Sequence, residues 1–129
     1  MPAPAQYFYN TTIKISAQTV LRDALDAGDS NAKLFLKAED DTVLSQLFLT
    51  DPCGTINGDG SLTLTFLGPD TNAAATGTAT YGEFVDSNNT VCLTMPVIQG
   101  EAPKVGYLVM NTPLILQGGT VSIINAQVG

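Results

Sequence analysis

The sequence predicts a mainly β fold, an antiparallel β-sandwich of about seven or eight short strands led by one short N-terminal helix. Three observations carry the prediction. Ser61-Leu62-Thr63-Leu64-Thr65-Phe66 alternates polar and apolar residues, the period of a half-buried strand. Turn-forming residues recur at short intervals: Asp40-Asp41, Gly58-Asp59-Gly60, Gly68-Pro69-Asp70, Asp86-Ser87-Asn88-Asn89 and Gln117-Gly118-Gly119. Helical spacing occurs in a single stretch, between Ser16 and Gly28. A chain of 129 residues suits one domain and is long enough to bury a core without staples.

Residues 1–15 are expected to form an extended arm, because Pro2 and Pro4 favour extended backbone, with Tyr7-Phe8-Tyr9 as an aromatic cluster on it. The domain proper is expected over residues 16–129. Ser16 can cap a helix over 17–27, in which Val20, Leu21, Ala24 and Leu25 form an apolar stripe and Gly28 supplies the stop. Strands follow at 33–38 and 42–49. A long loop is expected over 50–60, because Asp51-Pro52, Gly54, Gly58 and Gly60 all read as turn residues. Further strands are expected at 61–66, 78–86, 90–96 (stopped by Pro96), 104–110 and 120–124. A short edge strand is expected at 112–116, since Pro113 cannot donate to a central ladder.

Composition limits the chemistry. There is no histidine, so a Ser-His-Asp or Cys-His arrangement is ruled out, and with it the commonest general base. No catalytic role, cofactor or metal is expected. Glu83 and Asp86 could pair as acids for glycoside hydrolysis, but an aromatic cleft should accompany them and the chain has no tryptophan. Asp51 and Asn57-Gly58-Asp59-Gly60-Ser61 look like part of a calcium loop. With Gly60 at the sixth position, however, the first and twelfth fall on Thr55 and Phe66, neither of them acidic. A tight turn is the better reading. The glycine-rich stretches lack the lysine ending of a phosphate loop.

Net charge is −7, with only five cations and no basic cluster, so direct nucleic-acid binding is not expected. An anionic membrane surface would repel the chain, and no segment reads as a secretory signal or a membrane span. Cys53 and Cys92 are expected to be unbridged thiols acting as small hydrophobes. Charged residues make up 13% of the chain, against about a quarter in ordinary domains. Such a surface is cheap to desolvate against other subunits, which favours homo-oligomers, dimers or trimers.

Three segments resemble a group of small tailed-phage and prophage virion structural proteins. They are "TVLRDALDAGDSNAKLFLKAEDDTVLSQLFL", "ATGTATYGEFVDSNNTVCLTMPV" and "LILQGGTVSIINAQV". Arg22-Asp23-Ala24, Ala79-Thr80, Val85-Asp86-Ser87 and Gly119-Thr120-Val121-Ser122-Ile123 fall on that group's pattern in order. The similarity runs from residue 19 to 128. Gly82-Glu83 stands where the group carries an aromatic-arginine step, and Asn88-Asn89 where it carries a turn glycine. The resemblance implies a structural component of the virion, made in the cytoplasm of a bacterial host. On it rests the expectation of a capsid decoration or cement protein whose partners are the major capsid protein or other virion proteins. A tail or neck component (tube, adaptor or fibre base) is the alternative. A carbohydrate- or cell-surface-binding module is the reading from another class. The expected partner contacts are Tyr7, Phe8 and Tyr9, because aromatics are enriched at interface centres, and Glu83, because it departs from the group's pattern.

Overall fold

The computed structural model describes residues 10–129. Helix α1 (Thr11–Asp26) is followed by nine strands: β1 (Lys33–Lys37), β2 (Val43–Ile56), β3 (Leu62–Phe66), β4 (Gly77–Thr78), β5 (Tyr81–Val85), β6 (Val91–Gln99), β7 (Leu108–Met110), β8 (Leu114–Ile115) and β9 (Asn125–Val128). The fold is mainly β with one helix, as expected. The sheet, however, is not an open sandwich. Seven strands close into a barrel in the order β1-β2-β3-β9-β7-β6-β5, and β4 pairs with β8 in a separate two-stranded ribbon. Nor is it purely antiparallel, because β6 and β7 run parallel.

Two long strands account for the closure. The first half of β2 pairs with β1, from Val43 to Phe48. Its second half pairs with β3, from Leu49 to Ile56. Between Leu49 and Gly54 the register shifts, around a cis Asp51–Pro52 bond. The bend turns one strand from the first sheet direction into the second, as strands do at the corners of orthogonal sheet packings. β6 does the same: Val91–Pro96 pair with β5, and Val97–Gln99 with β7. The loop expected over 50–60 is thus largely strand, and Pro96 does not stop β6. Proline is tolerated there because its missing N–H is not needed on that side: Val97 N–H reaches Thr80 O instead, at 3.0 Å.

The helix begins earlier than its stripe suggests. Asn10, not Ser16, is the cap, its side-chain oxygen accepting from Thr12 N–H at 2.8 Å. Residues 11–15, expected in the arm, are therefore helical. The remainder of that arm, with Tyr7, Phe8 and Tyr9, lies outside the described residues. Gln18 and Leu25 are buried, and Lys14, Leu21 and Arg22 are partly covered. This face lies on β2. Asp26 accepts from Cys53 N–H at 2.9 Å and so pins the end of the helix to the bend of β2.

The closing strand is also displaced. Thr120–Ile124 were expected in it, but Val121 forms only an isolated bridge to Asp70, and β9 starts at Asn125. The barrel interior is filled by Leu34, Leu36, Leu44, Leu47, Leu49, Leu62, Phe84 and Leu108, each at most 2% exposed. Gly82 also faces inward: a Cβ on it would lie 2.5 Å from Leu108 Cδ1 and 2.7 Å from Leu34 Cδ1. The absent side chain makes room for those two leucines.

Asp70 ties the 67–72 loop to the barrel. Its carboxylate accepts from buried Ser45 Oγ (2.6 Å), Gln46 N–H (3.3 Å) and Asn72 N–H (3.0 Å). Burial alone would push this carboxyl up, but the hydrogen bonds from Ser45, Asn72 and Gln46 outweigh it and hold the value below the ordinary 3.8. The contribution to stability is therefore complete above that ordinary value and is lost as pH falls from it through the lower folded-state value. Asp70→Asn should flatten the acid limb of a stability–pH curve measured by urea unfolding below about pH 5. A variant curve parallel to that of the parent would show that Asp70 carries no such linkage.

Candidate functional site

The β5–β6 hairpin holds both acids weighed for catalysis. Along β5, Gly82 and Phe84 point into the barrel, while Tyr81 and Glu83 lie on its outer side. Glu83 is opposite Thr94 on β6 and Phe35 on β1. Its carboxylate meets the Lys37 ammonium at 2.5 Å, with both side chains about a fifth exposed. Next to it, the Tyr81 hydroxyl donates a very short hydrogen bond to Asp41. That bond, then desolvation and the surrounding carboxylates, push the phenol up to about 12. The outer face of β1 and β5 thus carries one ion pair, Lys37–Glu83, beside the Tyr81–Asp41 hydrogen bond. Glu83 has its counter-ion within the chain, where cross-strand and diagonal neighbours can reach one another.

Asp86 has a different task. Its side chain accepts from Asn88 N–H and Thr90 N–H, each at 2.9 Å. The backbone closes the turn through Asp86 N–H to Thr90 O and Asn89 N–H to Asp86 O, both 3.0 Å. Asn89 takes a left-handed φ of 65°, which asparagine tolerates better than most residues. Asn88-Asn89 thus does the work of a turn glycine. Glu83 and Asp86 are each engaged with their own neighbours, Glu83 with a lysine and Asp86 with a turn.

The suspected cation loop is a turn. Asp59 accepts from both Ser61 N–H (3.0 Å) and Ser61 Oγ (2.6 Å), which hold its carboxyl below the ordinary value. Gly60, at φ 87°, allows Lys14 and Thr11 of α1 to lie against the turn. Among the described residues no group of three or more His, Cys, Asp or Glu is placed to hold a metal ion. Cys53 and Cys92 are unbridged, as expected. Burial, with Asp26 nearby, pushes the Cys53 thiol up to about 12, so it stays protonated and packs as a small apolar group.

What the linear sequence does not disclose is the distribution of apolar side chains on the outside. Val20 is 70% exposed, Leu67 64%, Leu116 61%, Ile13 56% and Leu114 55%. Ile13 and Val20 share the uncovered side of α1, seven residues apart. The barrel wall also has a gap that no motif announces: a groove of about 440 Å³ lies between Thr63–Phe66 and Ser122–Asn125. Only the premature end of the β3–β9 ladder reveals it, and that depends on the closing strand starting at Asn125 instead of Thr120.

Among the described residues no helix is long and apolar enough to cross a membrane. Comparison of the chain with protein-family models, with curated proteins and with solved structures yields no match.

Proposed function

We propose that the chain is a structural virion protein of a tailed bacteriophage, a capsid decoration or cement protein that bridges major capsid subunits. The observation that carries this reading is the apolar skin: Ile13, Val20, Leu67, Leu114 and Leu116 are more than half exposed on a chain in which charged residues are scarce. Isolated apolar side chains are normal on a surface. Here they recur on the helix, on the 67–72 loop and around the β4–β8 ribbon, so several sides of the barrel can be covered by neighbours. A shell presents many copies of one weak contact, and multivalency makes such contacts effective.

The resemblance of four short motifs to phage virion proteins is in keeping with the same reading. Arg22-Asp23-Ala24 falls on α1, Ala79-Thr80 leads into β5, Val85-Asp86-Ser87 begins the β5–β6 turn, and Gly119–Ile123 leads into β9, with Ser122 and Ile123 on the wall of the β3–β9 groove. The acids of the hairpin are engaged within the chain, which favours a structural role over a hydrolytic one. Glu83 is retained as a contact position only in the sense that Lys37 and Glu83 together present a neutral pair to a partner.

The test is quantitative mass spectrometry of purified particles, followed by adding the purified chain to particles that lack it. Hundreds of copies per particle and a raised particle melting temperature are expected. A handful of copies would place it in the tail or neck, and absence from the particles would overturn the virion reading.

A further inference from the structure

The ribbon of β4 and β8 has an open edge. Gly77 pairs with Ile115 and Thr78 with Leu114, and no other strand of the described residues joins β8. The ribbon is held firmly on the barrel. Ile115 is 2% exposed, a Cβ on Gly77 would meet Leu44 Cδ2 at 3.0 Å, and Gln117 N–H donates to Thr76 Oγ1 at 2.9 Å. Leu114 and Leu116 stand two residues apart and so share the outer face, where they are 55% and 61% exposed.

The peptide groups along β8 can be assigned one by one. Ala79 N–H donates to Pro113 O at 2.8 Å. This makes Thr78↔Leu114 the step without direct bonds and Gly77↔Ile115 the bonded step. Ile115 therefore directs its N–H and C=O to β4, while Leu114 and Leu116 direct theirs away from it. Leu114 N–H is taken by Thr112 Oγ1 at 3.3 Å, and Leu116 C=O by Gly119 N–H at 2.8 Å. Leu114 C=O and Leu116 N–H remain, without a partner among the described residues. An acceptor and a donor placed symmetrically about Ile115 form an edge that is complementary to itself.

We infer that β8 is the contact between two copies of this chain, joined antiparallel about a two-fold axis at Ile115. Each copy's Leu116 N–H then donates to the other's Leu114 C=O, as in any antiparallel step. Each Leu114 lies across from the other copy's Leu116, within cross-strand reach. This is strand addition through an isologous interface, in which one patch meets itself. Charge selects the edge. Copies of net charge −7 repel one another, and the β4 side of the ribbon is rimmed by Glu39 and Asp40. From Val105 to Gly129 there is no Asp, Glu, Lys or Arg, so β8 and its flanks bring no like charges together. Pro113 is no obstacle, because its missing N–H would face β4. A contact of this length is small beside the roughly 1,200–2,000 Å² of a stable interface, so the dimer is weak and concentration-dependent. The inference does not rest on the virion reading.

The experiment takes the full chain through a concentration series, read by sedimentation velocity and by the amide shifts of isotope-labelled protein. Monomer should pass to dimer as concentration rises, and the Leu116 amide proton should move downfield with it as it gains an acceptor. Leu116→Glu should weaken association by roughly tenfold or more with unchanged circular dichroism, and Leu114→Glu repeats the test from the other side of each pair. Leu67→Glu is the control. It adds the same charge at a site 64% exposed and off both ribbon strands, and it should keep the parent's dimer. A parent that stays monomeric at its highest soluble concentration would overturn the inference, as would a closed oligomer of another order or a dimer in which the Leu116 amide does not move. Glutamate variants of Leu114 and Leu116 that associate like the parent would do the same. So would a Leu67→Glu loss equal to theirs, which would mark general apolar adhesion. Because only the chain in solution is measured, failure here is distinct from absence of the chain in particles.

Discussion

Phe84→Ala is expected to cost about 3–5 kcal/mol, the usual range for removing a buried phenylalanine. Phe84 is fully buried and the largest side chain in the barrel interior. It pairs with Leu34 on β1 and Leu93 on β6, and its ring lies 6.4 Å from that of Phe66 across the barrel. Truncation therefore opens a cavity at a point where three strands and the far wall converge. The surrounding residues cannot collapse into it without breaking ladder register, so the cavity term adds to the lost transfer energy. Against a typical total of about 5–15 kcal/mol, the loss is a large fraction. For a domain of this size the melting temperature should fall by about 10–20 °C. Phe48→Ala is the comparison. Phe48 is 44% exposed, with the Lys33 ammonium 6.0 Å from its ring centroid, and its loss should cost under about 1 kcal/mol. Equal melting temperatures for the two variants would mean that the interior is not packed around Phe84.

The difference between those two phenylalanines shows how much of the fold is legible in the chain. Period-two alternation finds the strands whose two faces meet different surroundings. Leu62–Phe66 and the β5–β6 hairpin are placed within a few residues of where they lie, and the Asp86 turn forms as its residues dictate. Alternation also says which face is apolar, but a sandwich and a barrel share that pattern. What decides between them is whether one strand can serve two sheets. Here Thr50–Cys53 and Pro96 carry the two strands that do so. Pro52, Gly54 and Pro96 are residues that ordinarily end strands, so the signals that make closure possible are the ones that read as loops. The start of α1 was hidden for a related reason. Thr11, Thr12, Ile13 and Ile15 are β-branched, with modest helix propensity, and the Asn10 cap and the packing of Lys14 and Gln18 override it. Of the candidate contact residues, Glu83 could be located but its Lys37 partner could not, since the pair is diagonal across a strand register unknown in advance. The groove at the β3–β9 seam was invisible because it arises from where pairing stops.

Gly54→Ala should be the most damaging of the small-to-large changes at glycine, through a backbone clash. At the point where β2 leaves its bend and resumes pairing, a Cβ on Gly54 would sit 2.4 Å from the carbonyl oxygen of Thr63 and 3.1 Å from its carbon. Both atoms belong to the partner strand, at the Gly54↔Leu64 and Thr55↔Thr63 steps of the ladder. A side-chain tip could rotate away, whereas a ladder oxygen can move only if the strands separate. The expected cost is at the upper end of the about 1–3 kcal/mol seen for overpacking, with lost ladder hydrogen bonds adding to it. Two other glycines bracket the effect. At Gly82 the nearest atoms are the methyl ends of Leu108 and Leu34, which can shift rotamer, so Gly82→Ala should cost less. At Gly58 nothing lies within 4 Å, and alanine there should be neutral or slightly stabilising, because it restricts the unfolded chain. The predicted order of melting temperatures is Gly58→Ala, then Gly82→Ala, then Gly54→Ala lowest. Hydrogen exchange should show the Gly54→Ala loss as faster exchange at Thr55 and Thr63, while the amides of β5 and β6 stay protected. If Gly54→Ala melts with Gly58→Ala, then β2 does not pair with β3 through Gly54, and the account of how one strand turns the barrel corner fails with it.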